Sequence, residues 1–147
     1  MASDLKIDID DVRLNVRVGA IMRYNDDIVL EISTVGRNSV VPGGRIQINE
    51  HSTDALVREL GEEMKFVPNK NKFTQVKVFE NFFNYGEKRI HEIYFLYEYI
   101  LDENERDYIQ NLKVNYDNDT TYFTFVKKTE LDKYNLLPLE LHELINN

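Results

Sequence analysis

The sequence GGRIQINEHSTDALVRELGEEMKF, residues 43–66, joins two unlike halves: a glycine-led turn and an acid-rich helix. Residues three and four apart on an α-helix are neighbours on one face, so Glu59, Glu62 and Glu63 are expected to project into one small volume. Leu56, Val57, Leu60 and Met64 fall within an arc of about 100°, and the acids centre roughly 120° from it. The helix therefore buries one stripe and presents carboxylates on another. Three adjacent carboxylates repel one another, and a hard divalent cation such as Mg²⁺ converts that repulsion into binding. An Arg-Glu-Leu-x-Glu-Glu run by itself is usually a solvated helix face. The glycine pair after Pro42 and the lone Glu50 ahead of it weigh against that bland reading. The helix should start at His51–Thr53, where Ser52, Thr53 and Asp54 offer capping side chains, and Pro68 with the polar run Asn69–Lys72 closes it.

Upstream, residues 1–11 form an acidic arm or short edge strand with Leu5, Ile7 and Ile9 alternating. Val12–Met22 then alternates apolar and polar residues with a strand's period. The turn cluster Tyr24-Asn25-Asp26-Asp27 leads into a second strand, Ile28–Ile32, making a hairpin. Thr34–Ser39 is a loop; Pro42 ends central strand pairing, and Gly43 and Gly44 permit a sharp bend or close backbone approach. Downstream, Phe73–Phe83 and Arg89–Ile100 read as a longer hairpin around Asn84-Tyr85-Gly86-Glu87. In the latter strand Ile93, Phe95, Tyr97 and Tyr99 oppose Ile90, Tyr94, Leu96 and Ile100, as in a strand covered on both faces. Asp102–Asp107 reads as a charged loop, Tyr122–Val126 as a last strand and Pro138–Ile145 as a final helix. The order β-β-α-β-β-β-α gives an α/β fold, a mixed sheet between helices, in one domain over residues 1–147.

Composition narrows the function. At 147 residues with 42% hydrophobic and 30% charged content, the chain can bury a core and is not disordered. A net charge of −8 without a Lys/Arg-rich run argues against a nucleic-acid duplex as partner, although a phosphorylated small molecule is allowed if metal ions supply local positive charge. The chain has no cysteine, which excludes disulfides and thiolate metal sites and fits a cytoplasmic protein. The N-terminal residues lack an apolar signal core and no apolar run approaches membrane-spanning length.

The central stretch resembles the Nudix box: glycine, five residues, glutamate, seven residues, then Arg-Glu-apolar-any-Glu-Glu-any-Gly-apolar. Gly44, Glu50, Arg58, Glu59, Leu60, Glu62, Glu63 and Phe66 match, and Lys65 stands in place of the last glycine. The resemblance implies a Nudix-type α/β/α sandwich. It also implies metal-dependent hydrolysis of a pyrophosphate bond in a nucleoside diphosphate linked to another group, with Mg²⁺ or Mn²⁺. On this resemblance Glu59 and Glu63 lead the metal ligands, Glu62 assists, and the Gly43 carbonyl adds another. Arg58 braces a glutamate, Glu50 ties loop to helix or joins the metal shell through water, and Arg45 with the Gly44 backbone contacts substrate. Glu59, Arg58 and Glu62 form the catalytic set. The general base is Glu59 itself or a glutamate outside the box, with Glu80, Glu92, Glu98, Glu103 and Glu105 as candidates.

Lys65 either bears the strain of a left-handed helix end or lets the helix finish differently. The alternative to an enzyme is a non-catalytic Nudix-fold module that senses a nucleotide or contacts a protein. Small members of the family are frequently homodimers, and no residue here decides that state. The downstream proline of ADP-ribose-type members is absent, Glu80-Asn81-Phe82 standing there, while Tyr85 lies near the tyrosine of dinucleoside-polyphosphate members. Arg17, Arg23, Arg37 and Arg45 are candidate phosphate contacts, most of them expected on the surface. His91 and the aromatics Phe79, Phe82, Phe83, Tyr85, Tyr94 and Tyr97 are expected mainly to pack, with one or two rings left to stack on a base.

Overall fold

In the computed structural model, which describes residues 3–147, strand β2 (Val12–Tyr24) is the axis of the sheet. The first two residues of the expected N-terminal arm lie outside the described residues. The rest of that arm supplies β1 (Lys6–Ile9), an exposed edge strand antiparallel to the start of β2. One side of β2 runs parallel to β7 (Lys88–Ile100) from Val12 to Arg23. Its other side is shared in succession by β1, by β5 (Gly43–Arg45) and, at the tip, by β3 (Asp27–Ser33). β3 continues outward to β4 (Ser39–Val40) and β8 (Thr121–Lys127), and β6 (Thr74–Tyr85) completes the long hairpin with β7.

Alternation along β2 divides two cores. Val16, Val18, Ala20 and Met22 join Ala55, Leu56, Leu60 and Met64 of helix α1 (Ser52–Met64) on one face. Ile21 joins Leu30, Leu96, Leu141 and Ile145 on the other, beneath the C-terminal helix α3 (Glu140–Asn146). The expected α/β/α sandwich with a mixed sheet is present.

Local details differ from the sequence reading. The glycine pair lies within a strand, because Val18 and Gly19 pair with Gly44 and Gly43 after Pro42. An added Cβ on Gly43 would sit 2.1 Å from the Val18 carbonyl oxygen, so only glycine allows β5 to lie this close. The N-cap of α1 is His51, with no side-chain cap; the Ser52 hydroxyl instead shares a 2.5 Å hydrogen bond with that of Tyr97. Val57 is half-buried where Ala55 is fully buried, so the buried stripe keeps Leu56, Leu60 and Met64 and widens on the Ala55 side. The charged segment after Asp102 is a helix, α2 (Glu103–Gln110), rather than a loop. The Asp102 carboxylate accepts from Glu105 N–H at 2.8 Å, and Glu105 accepts from Asp102 N–H at 3.0 Å, a reciprocal capping box. Finally, Lys65 does take the left-handed conformation (φ 48°, ψ 37°), with Phe66 N–H donating to Leu60 O at 3.3 Å.

Candidate active site

Arg58 organises the box. Its guanidinium donates to both Glu50 oxygens (2.8 and 3.0 Å), to Glu59 Oε1 (2.8 Å) and to the Arg45 carbonyl (2.9 Å). Glu62 Oε2 lies 3.5 Å from the same group. Glu50 also accepts from Gln47 N–H at 2.9 Å, so one arginine and one glutamate clamp the loop 45–50 onto the helix. These contacts hold the Glu50 carboxyl below its ordinary range, Arg58 being the main cause.

The three clustered acids do not share one environment. Glu62 is about half exposed, whereas Glu59 and Glu63 turn inward. Glu59 lies against Gly44, where an added Cβ would come within 2.4 Å of its carboxyl carbon. Burial raises the Glu59 carboxyl pKa even though Arg58 opposes the shift. Burial, with the negative charges of Glu31 and Glu59, pushes Glu63 up to about 8. Its Oε2 is buried with no hydrogen-bond partner among the described residues.

Glu31 was not anticipated. It is a buried acid on β3, accepting from Asn115 Nδ2 at 3.1 Å and from the Thr121 hydroxyl at 2.8 Å. The sequence held one signal for it, a charged residue inside the apolar run Ile28–Ile32; Asn115 lies in an irregular segment with no such signal.

Among the described residues no three acidic or histidine side chains converge as a ready cage. The donor set nevertheless fits a hard divalent cation. Its oxygens are carboxylates, one of them buried and unpartnered, and like charges crowd Glu59, Glu63 and Glu31.

A cavity of about 690 Å³ opens on the α3 face of the sheet. Phe82, Phe83, Tyr85 and Leu139 give it apolar walls, Asn81 and Asn84 add amides, and Arg17 and Glu92 stand at its charged end. Phe82 and Tyr85, expected to pack, are instead mostly exposed here at 66% and 73%, because β6 is an edge strand whose far end has no cover. Phe79, Tyr94 and Tyr97 are core, as expected. Arg17 lines the cavity with its Nε 4.0 Å from Glu92, and its charge weakly opposes the upward shifts of Glu59 and Glu63.

The other arginines are placed differently. Arg23 is bound to Glu98 (2.6 Å) and the Ile145 carbonyl (2.7 Å), Arg37 is exposed in a loop, and Arg45 lies 3.7 Å from Asp4. Of the glutamates outside the box, Glu80 pairs with the exposed His91, Glu98 with Arg23, and Glu105 with Lys72; Glu103 opens α2. Glu92 alone of these lines the cavity.

The Glu63 shift has a pH consequence. A carboxyl with a raised folded pKa binds more protons in the folded state, so its contribution to stability is complete below about pH 4.5 and lost as pH rises through about 8. Without divalent metal, the melting temperature is therefore expected to fall between about pH 5 and 8, and Glu63→Gln should flatten that fall. A thermal-shift series in chelator checks both; identical slopes for the two proteins would contradict this placement of the proton.

The similarities to known proteins bear on the family and the fold. The family model described as NUDIX domain matches residues 13–143. No curated protein matches the chain in sequence. Among solved structures, a MutT NUDIX hydrolase from Burkholderia pseudomallei superposes with a TM-score of 0.68 at 15% identity, covering 90% of this chain and 96% of that one. A MutT protein from Bacillus halodurans gives 0.67 at 16%, covering 90% and 80%. The Ap4A hydrolase of C. elegans, in a binary complex, gives 0.59 at 14%, covering 90% and 93%. At these identities the structural likeness speaks for the fold, and the family model, spanning most of the sequence, speaks for descent. This chain belongs to the Nudix family.

Proposed function

We propose that the protein hydrolyses a pyrophosphate bond in a nucleotide-type substrate, using a divalent cation, Mg²⁺ or Mn²⁺. The observation that carries this reading is the buried, unpartnered Glu63 Oε2 among like-charged carboxylates, with Arg17 at the charged end of a separate aromatic-walled cavity. A nucleotide presents a demand for each: a polyanionic tail and a flat apolar base. The family's solved members named as hydrolases, one of Ap4A among them, support the reaction class.

Glu59 and Glu63 would hold the cation, with Glu62 and the Gly43 carbonyl completing its oxygen shell. When bound, the cation neutralises phosphate charge and lowers the pKa of an attacking water. The chain's own residues do the rest. Arg58 fixes the rotamer of Glu59 and keeps Glu50 from competing for the site. Arg17 meets a phosphate at the cavity mouth, and the 4.0 Å gap to Glu92 leaves its guanidinium available. The Arg45 carbonyl accepts from Arg58 and its guanidinium faces Asp4, so its contribution and that of Gly44 are backbone positioning beside the substrate. Glu59, poised by burial, and Glu92, at the cavity, are the two carboxylates placed to accept a proton from water. Rings exposed on β6, Phe82 and Tyr85, offer faces for the base.

The test is a panel of nucleoside di- and triphosphates, dinucleoside polyphosphates and nucleotide sugars, assayed with Mg²⁺ and with chelator. Metal-dependent release of phosphate or nucleotide from at least one is expected, together with a Mg²⁺-dependent rise in melting temperature. Tight binding without turnover across the panel would instead establish a nucleotide-sensing module. No binding and no turnover would end both readings.

A further inference from the structure

Lys65 is where this chain departs from the box, and the structure shows what the lysine touches. Its Nζ lies 4.1 Å from the centre of the Tyr116 ring, a cation–π contact. Tyr116 N–H donates to the Glu63 carbonyl at 2.8 Å, so the same residue also ties the irregular segment after α2 to the end of α1. The preceding residue is Asn115, buried, whose carboxamide donates to Glu31 Oε2 at 3.1 Å and to the Thr121 hydroxyl at 3.0 Å. Its own oxygen accepts from Asp117 N–H at 2.8 Å, which fixes which way the amide points.

From the left-handed residue to the buried acids there is thus one unbroken set of contacts. We propose that Lys65, with Tyr116, is a positioning pair that seats the segment around Asn115 on the C-terminal end of α1 and so holds Glu31 beside Glu63. Glycine at position 65 would relax the backbone but has no side chain to cover Tyr116. The lysine accepts left-handed strain and gains the contact that the glycine lacks. Neither residue of the pair touches substrate or cation; both act on the acids through Asn115, while the Tyr116 N–H bond to the Glu63 carbonyl anchors the segment.

The inference rests on the proposed metal role of Glu63, and the experiment separates the two. Free Mn²⁺, followed by its electron paramagnetic resonance signal, is titrated with the whole protein and its variants. Lys65→Gly and Lys65→Met should each weaken Mn²⁺ binding about two- to fivefold, the size of one exposed cation–π contact. Tyr116→Leu should do the same, and Tyr116→Phe, which keeps the ring, should bind as the parent does. In chelator, Lys65→Gly should melt at or above the parent temperature, because glycine takes the left-handed conformation without penalty. In an Asn115→Ala background, Lys65→Gly should no longer change the affinity. Parent-like binding by Lys65→Gly and Tyr116→Leu overturns the proposal. So does a weakening that follows the metal-free melting temperature from variant to variant. Loss of Mn²⁺ binding in Glu63→Gln supports the metal site irrespective of Lys65, and retained binding there removes the metal site itself.

Discussion

Glu59→Gln should lower kcat/KM on the best pyrophosphate substrate by about 10²–10⁴-fold while leaving the fold in place. Glutamine has nearly the same shape, so it still fits the space against Gly44 and still accepts from Arg58 through its carbonyl oxygen. What disappears is the negative charge, and with it both the proposed hold on the cation and the capacity to take a proton from water. Circular dichroism and the metal-free melting temperature should change little, since burial already disfavours the charged form of this carboxyl. The matched control is Glu80→Gln: Glu80 is an exposed acid paired with His91, and its loss should leave turnover as it was. A Glu59→Gln enzyme that keeps more than a tenth of parental kcat/KM would remove Glu59 from the catalytic set.

Arg58→Ala is the change expected to cost most stability, about 3–5 kcal/mol, because it strands partners rather than merely deleting a contact. Glu50 and Glu59 are only 16% and 14% exposed at their side chains, and both depend on this guanidinium. The Arg45 carbonyl loses its donor as well. For a chain of this length the loss corresponds to a drop of roughly 6–20 °C in melting temperature. Arg58→Lys should recover only part of it, since an ammonium cannot span both Glu50 oxygens and reach Glu59 together. The pairs are charge-dependent: Glu50, whose carboxyl is held low, contributes above its unfolded pKa and loses that contribution as pH falls through its lowered folded value. The gap between parent and Arg58→Ala should therefore narrow in acid. A gap that stays constant from neutral pH down to about pH 3 would show that packing, not charge pairing, accounts for the loss.

Legibility varied with how local each determinant was. The helix 52–64 and the two hairpins were readable because amphipathic period and turn residues are properties of contiguous sequence. α2 was missed because its stability lies in capping rather than in an apolar stripe; only Ile109 is buried, and the Asp102–Glu105 box was the readable cue. The carboxylates of the box could be named in advance, but their separate fates could not. That Glu62 is half exposed while Glu63 is buried under the negative charge of Glu31 is a fact of tertiary packing. Hydrophobicity predicts that most aromatic residues of β6 pack and one or two stay open, but which ones depends on the sheet's edge, where Phe82, Phe83 and Tyr85 meet solvent. Among four candidate arginines only the fold singles out Arg17.

The parallel pairing of β2 with β7 has a consequence for how this protein comes into being. Val12 lies beside Arg89 and Arg23 beside Ile100, so every rung joins residues 77 apart. Closing so long a segment precedes any reward from the sheet's central contact, which places the chain among slower-folding topologies. During synthesis the helix with its acids can emerge and coil early, yet Arg17 and Glu92 cannot meet until the ribosome has released residue 92 and the strand around it. The box is therefore translated long before the cavity exists, and a truncated product ending before β7 would carry the acids of the box without Glu92 and the cavity wall around it.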